Sequence, residues 1–362
     1  MISWFRKQYA NRWSRRERIF LLEQLEMFVS AGLTVGQGLE IIKGARGKAQ
    51  GATKAKGASL EDVQKEVESG GLLSRALFVH VGLSKSLTSI IEHGERVGGL
   101  AAALASARDL LVKEDELVKK CLSAMTYPVI IGVLAVVLTV GLMRGVVPQI
   151  VPMLTGMHVE LPLLTKVTIW MSGAIMSFGL YVLATLFVSA VAAIFAYRKY
   201  PLIRRFSHYA IFHVSLVGGI IYSYSLSIFL RSLGTLVKSG IQIVEAYSEV
   251  VEAASFEPFK ADVDHGVEHI RNGFLLKDIF THKNIPAYVS SLVSAGESSG
   301  SLGESLIRAA SIIENDLENT LKRLTSLIEP LMMIGVGGVV GAIALSIMMP
   351  IYGMSQALQH VR

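Results

Sequence analysis

The sequence predicts an all-α membrane protein built from two repeated helical-bundle domains and three transmembrane helices. Three observations carry this. Three stretches are apolar over the ~20 residues a helix needs to cross a bilayer. The chain aligns with itself over most of its length. Its remaining apolar residues recur at helical spacing, with no long alternating strand pattern.

Composition agrees. The chain has 362 residues, 51% hydrophobic and 18% charged, where soluble domains carry roughly 25% charge. Its one cysteine, Cys121, excludes an intramolecular disulfide framework and a multi-cysteine metal site. The formal net charge of +6 suggests cytoplasmic faces of a membrane protein before it suggests nucleic acid, and no nucleic-acid partner is expected.

Residues 1–127 read as a basic segment followed by the first helical domain. Phe5, Tyr9 and Trp13 recur at helical spacing among Arg6, Lys7, Arg12, Arg15, Arg16 and Arg18, which suits a helix on an anionic lipid surface or a basic arm docked on the protein. No apolar core of signal-peptide length interrupts them, so no signal peptide is expected. Leu22, Leu25, Phe28 and Val29 mark a helix closed by Gly32. Lys43 to Gly57, rich in Gly, Lys and Ala, reads as a flexible loop. Leu100, Leu104, Leu111 and Leu122 mark a later helix.

That helix leads into the first span, 128–147, whose one charge, Arg144, lies near its end and can snorkel to the surface. A short loop, 148–166, connects it to a second span, 167–197. The second domain, 198–330, follows with Leu226, Phe229, Leu230, Leu233 and Leu236 before Gly240, then Leu302, Leu306, Ile313 and Leu317. A third span, 331–349, and a tail, 350–362, complete the chain.

Lys and Arg set the orientation, because they are retained on the cytoplasmic side. Residues 1–127 carry 19 of them and residues 198–330 carry 13. The loop 148–166 has only Lys166 and the tail only Arg362. Both large blocks are therefore expected in the cytoplasm with the N-terminus, and the loop and C-terminus outside.

The repeat is direct. Gly71 to Pro148 aligns with Gly273 to Pro350 at a constant offset of 202, and residues 21–33 align with 229–241 at an offset of 208. Each unit is a helical block followed by a span, and the second span returns the chain so that both units enter in the same sense.

Both units carry one motif, Gly94-Glu95…Gly98…Leu100 and Gly296-Glu297…Gly300…Leu302. The glycines allow a tight turn and close approach, and the glutamate can cap helix amides or bind a basic partner. The motif reads as a structural corner or a partner-binding site. Pro128 and Pro330 stand where each helix enters its span, as a fixed bend or a lever joint. Gly141 with Gly145, and Gly337 with Gly341, are spaced for close helix packing within or between subunits.

Other motifs are weak. His265, Glu268 and His269 match an H-x-x-E-H zinc pattern, but Gly266 weakens the helix and no third ligand is evident; no metal is expected. Gly47-Lys48 is followed by Ala49, with Ile42 where a phosphate loop needs glycine. No nucleophile–base signature appears, and neither catalysis nor a cofactor is expected.

The paired GExxGxL corners, Tyr127-Pro128, Glu329-Pro330 and the LPLLT run at 161–165 resemble the inner-membrane platform proteins of type II secretion and type IV pilus machines. The resemblance runs from about Arg16 to Met354. Departures are Asn272-Gly273 in the second turn and Glu329 in place of the tyrosine. The resemblance implies an oligomeric, non-enzymatic bacterial inner-membrane protein, with the C-terminus periplasmic. It implies contact with a cytoplasmic hexameric assembly ATPase, with inner-membrane alignment proteins and with pilin or pseudopilin subunits delivered to a growing fibre. A small-solute transporter or channel subunit is the rival reading, since an oligomer could build a polar path; a sensor would need a ligand domain that the sequence does not offer.

Overall fold

The computed structural model describes residues 13–48, 54–149, 152 and 163–359. The aromatic and basic run before Trp13, and most of the loop 148–166, lie outside them. Every regular element among the described residues is helical.

Local sequence explains how the first helices start. Helix α1, Arg15–Ser30, begins at a capping box: the Glu17 amide donates to the Ser14 hydroxyl, and the Ser14 amide donates to the Glu17 carboxylate at 2.8 Å. Helix α2, Val35–Lys48, begins with the same device, the Thr34 amide donating to the Gln37 side chain at 3.0 Å. Gly32 between them has φ +83°, the left-handed conformation that ends a helix. Helix α3, Lys54–Glu68, then cuts into the expected loop. Residues 43–48 and 54–57 are helical, because lysine and alanine are good helix formers that outweigh the scattered glycines.

A short helix α4, Leu73–Ala76, runs on into a π-helical turn, Leu77–Val81, that ends at Gly82 with φ +71°. Helix α5, Lys85–Val97, precedes the first corner, and α6, Leu100–Gly145, runs without a break through Pro128. After α7, Leu163–Lys199, and α8, Pro201–His213, the second block repeats the plan. It consists of α9, Ser215–Lys238; α10, Ile243–Ala253; α11, Glu257–Val263; α12, Gly266–Arg271; a 3-10 turn, Leu276–Thr281; α13, Ala287–Ser299; and α14, Leu302–Gln359.

The chain divides into two compact units. The first comprises Met1–Lys119 and His208–Glu318 and holds both repeated blocks. The blocks read from sequence as separate domains share one core. Leu22 and Leu25 of α1, Ile90 and Ile91 of α5, Phe229 and Leu233 of α9 and Tyr247 of α10 are all buried in it. The blocks meet where α5 packs against α9 and α10, and Lys85 of α5 pairs with Glu252 of α10 at 2.5 Å. Of the leucines marking α6, Leu104 and Leu111 are interior, whereas Leu122 is exposed.

The second unit comprises Lys120–Ser207 and Asn319–Arg362. Its helices meet at a small apolar cluster of Met143, Val147 and Ile343, flanked by Leu142 and Ile175. Ser172 donates to the Met143 carbonyl at 2.5 Å and Thr165 to the Ser346 carbonyl at 2.7 Å. Among the described residues many of its large apolar side chains are exposed, Val133, Val137, Trp170, Phe178, Leu331 and Ile334 among them, as lipid-facing helices require.

Three helical stretches among the described residues are long and apolar enough to cross a membrane: Leu100–Gln149, Val217–Lys238 and Leu302–Ser346. Leu163–Gly179 is a shorter apolar stretch. Half of the most apolar window of Val217–Lys238 is buried, against 6% in the other two. That burial places Leu226, Phe229, Leu230, Leu233 and Leu236 in the bundle core rather than in lipid. Helix α7 is 37 residues long, which at ~1.5 Å per residue exceeds a bilayer's hydrocarbon thickness.

Candidate functional site

The two corners are built alike. Helix α5 ends at Gly98, with φ +82° and its amide donating to the Gly94 carbonyl. Helix α13 ends at Gly300, with φ +69° and its amide donating to the Gly296 carbonyl. Only glycine takes this conformation without strain. A Cβ on Gly94 would stand 2.2 Å from the Ala103 Cβ, and one on Gly296 would stand 2.6 Å from the Ser305 Cβ. Ala103 and Ser305 are themselves equivalent positions in the repeat, so the same helix crossing is made twice.

The glutamates of the motif face inward along the bundle. The Glu95 carboxylate accepts from the Leu73 amide at 2.6 Å, the Ser74 amide at 3.1 Å and the Ser74 hydroxyl at 2.7 Å. The Glu297 carboxylate accepts from the Leu276 amide at 2.6 Å and the Lys277 amide at 3.4 Å. Each therefore caps the N-terminus of the helical turn that precedes it in its block. Those amides would otherwise lack partners, and a carboxylate there also complements the positive end of the helix dipole. In both blocks the motif's glutamate is thus placed as a cap.

This pairing corrects the register. Gly70 and Gly273 both have positive φ, +86° and +80°, and precede the capped turns. Leu73 and Leu276 are the capped residues, so here the offset is 203 rather than 202. The constant offset fails because Gly70 to Gly98 is one residue longer than Gly273 to Gly300: after its capped residue the first block runs through α4 and a π-turn, Leu77–Val81, whereas the second has only the 3-10 turn, Leu276–Thr281. The π-turn takes up one extra residue, and the offset returns to 202 at Gly98 and Gly300.

Pro128 lies inside α6 and Pro330 inside α14, with helix on both sides of each. An added Cβ at Gly141, Gly145, Gly337 or Gly341 would meet nothing within 4 Å. Contact within the chain is instead made at Met143, Val147 and Ile343, so these glycines do not bring the chain's own helices together. His265 and His269 do not converge either: His269 stacks on Phe274 at 4.7 Å, and the Tyr247 hydroxyl fills the space beside Gly266. Among the described residues no group of three His, Cys, Asp or Glu is arranged to hold a metal.

Several determinants were not legible in the sequence. Arg231 holds Glu314 through two hydrogen bonds, of 2.6 and 2.8 Å, and donates to Ser311 at 2.9 Å. Arg108 pairs with Glu26 in the first block. The pairs join equivalent helices but occupy different positions, so self-alignment could not flag them. Gly234 and Gly303 bring α9 and α14 together, since a Cβ on either would stand within 3 Å of the other's carbonyl oxygen. Their counterparts are Glu26 and Ala101, which left no repeated glycine to notice. Glu114, flanked by Arg15 and Arg18, has its carboxyl pushed up to about 7 by burial, against the opposing pull of both arginines.

Comparison with known proteins matches this architecture. The sequence pattern of the family described as "Type II secretion system (T2SS), protein F" fits residues 21–148 and again residues 229–350, the two repeated units. The chain belongs to that family, the platform proteins of pilus and secretion machines, and its apolar helices place it in the inner membrane. It is 34% identical to the type IV pilus assembly protein PilC of Thermus thermophilus, over 91% of this chain and 80% of that one. It is 27% identical to the type II secretion system protein F of Pseudomonas aeruginosa, over 97% of this chain and 86% of that one. The type IV pilus assembly protein PilC of the same organism is also 27% identical, over 83% and 80%.

Proposed function

We propose that this chain is the membrane platform of a type IV pilus or type II secretion machine, coupling a cytoplasmic assembly ATPase to the insertion of pilin or pseudopilin subunits into a growing fibre. One observation carries this beyond family membership. In both repeats the helix that leaves the corner runs unbroken into an apolar stretch, 46 residues in α6 and 58 in α14. At ~1.5 Å per residue these are rods of roughly 70 and 85 Å. A rod anchored in a buried core at one end and apolar at the other is suited to carry displacement from a motor to the bilayer.

In this reading the spans are 128–147, 167–197 and 331–349, both blocks are cytoplasmic, and the C-terminus is periplasmic. Pro128 and Pro330 mark where each rod enters the bilayer. Glu95 and Glu297 hold the bundle that the ATPase displaces. The open glycine stripes at Gly141, Gly145, Gly337 and Gly341 supply contacts between copies of the chain or with alignment proteins.

The test is to interrupt the rods. A four-residue Gly-Ser-Gly-Ser insertion after Lys119, or after Asn319, should leave membrane insertion and ATPase co-purification intact and abolish fibre assembly. Normal fibres from both insertion variants would overturn the coupling role.

A further inference from the structure

Helix α8, Pro201–His213, follows α7 after a single residue, Tyr200. Its two faces differ. His208 is buried, with its ring 5.6 Å from that of Phe256, and its Nδ1 accepts from the Glu257 amide at 3.5 Å. Phe212 packs beside it, 6.0 Å from the Tyr222 ring and 6.2 Å from the Phe256 ring. Gly218 closes this corner, because a Cβ there would stand 2.5 Å from the Phe212 carbonyl oxygen. The face carrying His208 and Phe212 is thus fixed to the bundle.

The other face is apolar and uncovered. Ile203, Phe206 and Ala210 stand three to four residues apart and all are exposed, Phe206 at 77%. Tyr209 flanks them and is also exposed. Solvent-facing helices ordinarily place charge there. Around this face the chain has two further characters. Phe195, Tyr197 and Tyr200 add exposed aromatic rings on the approach from α7, and Lys199 lies 5.8 Å from the rings of both Phe195 and Tyr200. Arg198, Lys199, Arg204 and Arg205 fall within eight residues, and no Asp or Glu occurs between Glu160 and Glu245.

We infer that α8 lies in the membrane surface, with Ile203, Phe206 and Ala210 at the acyl boundary and Lys199 and Arg205 on anionic phospholipid headgroups. Amphipathic rings and basic side chains flanking a span are the chemistry of the bilayer interface, and clustered Lys and Arg next to a span select anionic lipid. Continuity with α7 argues for the same membrane rather than for a soluble partner. The contacts of His208 and Phe212 then tie this surface helix to the bundle core, giving the second block a lateral anchor. This rests on α7 crossing the bilayer.

The test is a nitroxide scan of the full chain in nanodiscs. In a Cys121→Ser background, single cysteines are placed at 203, 205, 206, 208, 210 and 212, with Gly179→Cys as a label within α7 and Ser69→Cys as a solvent reference. In discs containing phosphatidylglycerol, collisions with oxygen should exceed those with a water-soluble nickel chelate at 203, 206 and 210. Positions 208 and 212 should be shielded from both. In phosphatidylcholine alone the contrast at 206 should fall at least about twofold, as charge-dependent docking requires. If Gly179→Cys reports lipid while 203, 206 and 210 report water, the inference fails and the α7 span stands. If 203, 206 and 210 are shielded from both reagents, the face is covered by protein and the inference fails. If Gly179→Cys itself reports water, the span reading falls and the inference with it.

Discussion

The Glu95 carboxylate sits 2.6 Å from the Leu73 backbone nitrogen, and 202 residues later Glu297 stands at the same distance from the nitrogen of Leu276. A residue type repeated at both corners thus does the same job twice: it closes the start of a helical turn some twenty residues before it in sequence. The first site is the fuller one, since Ser74 adds an amide and a hydroxyl donor that Lys277 only partly replaces.

Removing the caps should cost accordingly. Glu95→Ala is expected to destabilise the chain by about 1–3 kcal/mol, the scale for leaving part-buried donors unpaired. Glu297→Ala should cost less, and Glu95→Gln, which keeps an acceptor oxygen, should recover part of the loss. Melting of the detergent-solubilised full chain measures the order, and amide exchange at Leu73 and Ser74 locates it. A Glu95→Ala chain that melts like the parent, with both amides still protected, would remove the capping role.

The glycine before each glutamate is constrained by space. Gly94→Ala must push its methyl against the Ala103 Cβ, which has no flexible end to yield. A loss of about 1–3 kcal/mol is expected from overpacking. At Gly99 an added Cβ meets nothing and the backbone is not left-handed, so Gly99→Ala should change the melting temperature little. Equal effects at the two positions would contradict a packing origin.

Arg231 and Glu314 are 11% and 14% exposed at their side chains. Breaking such a pair strands a charge. Arg231→Met alone should therefore cost about 3–5 kcal/mol, whereas Arg231→Met with Glu314→Met should come back close to the parent. Urea titration of the three chains distinguishes this from simple loss of packing, in which case the double variant would be the worst.

Glu114 gives the pH dependence a sign. Burial pushes its folded carboxyl up to about 7, above the ~4.3 of an unfolded glutamate. Between those values the folded chain holds a proton that the unfolded chain releases, so stability falls as pH rises through about 4.5 to 7 and is level above it. Glu114→Gln removes the ionisation. It should raise stability at pH 8 by on the order of 1 kcal/mol, discounted for partial exposure, and do little at pH 4.5. A variant less stable than the parent at pH 8 would show that the pairing with Arg15 and Arg18 outweighs burial.

What was legible in the sequence follows the physics of each feature. The helices, the αL glycines at Gly32, Gly240, Gly98 and Gly300, and the repeated corner are local patterns, and the chain writes each of them twice. The single core shared by both blocks was hidden, because helical periodicity gives the apolar face of α5 but not the partner that covers it. The one-residue slip at Leu77–Val81 was hidden too, since an extra residue in a π-turn leaves no composition mark. The ion pairs Arg231–Glu314 and Arg108–Glu26 join residues about eighty apart in sequence and break the repeat. The glycine stripes in the spans had a signal, but the chain's own helices do not use it.

Accessibility mapping in intact cells tests the platform reading most directly. Cys121 is replaced by serine, and single cysteines are placed at Ser69, Gly156, Ser255 and Gln359. Ser69 and Ser255 are exposed positions of the two blocks. A membrane-impermeant thiol reagent is predicted to label Gly156→Cys and Gln359→Cys only, with Ser69→Cys and Ser255→Cys reacting once the cells are opened. Labelling of Ser69→Cys or Ser255→Cys in intact cells would place a repeated block outside, beyond reach of any cytoplasmic motor, and would contradict the account.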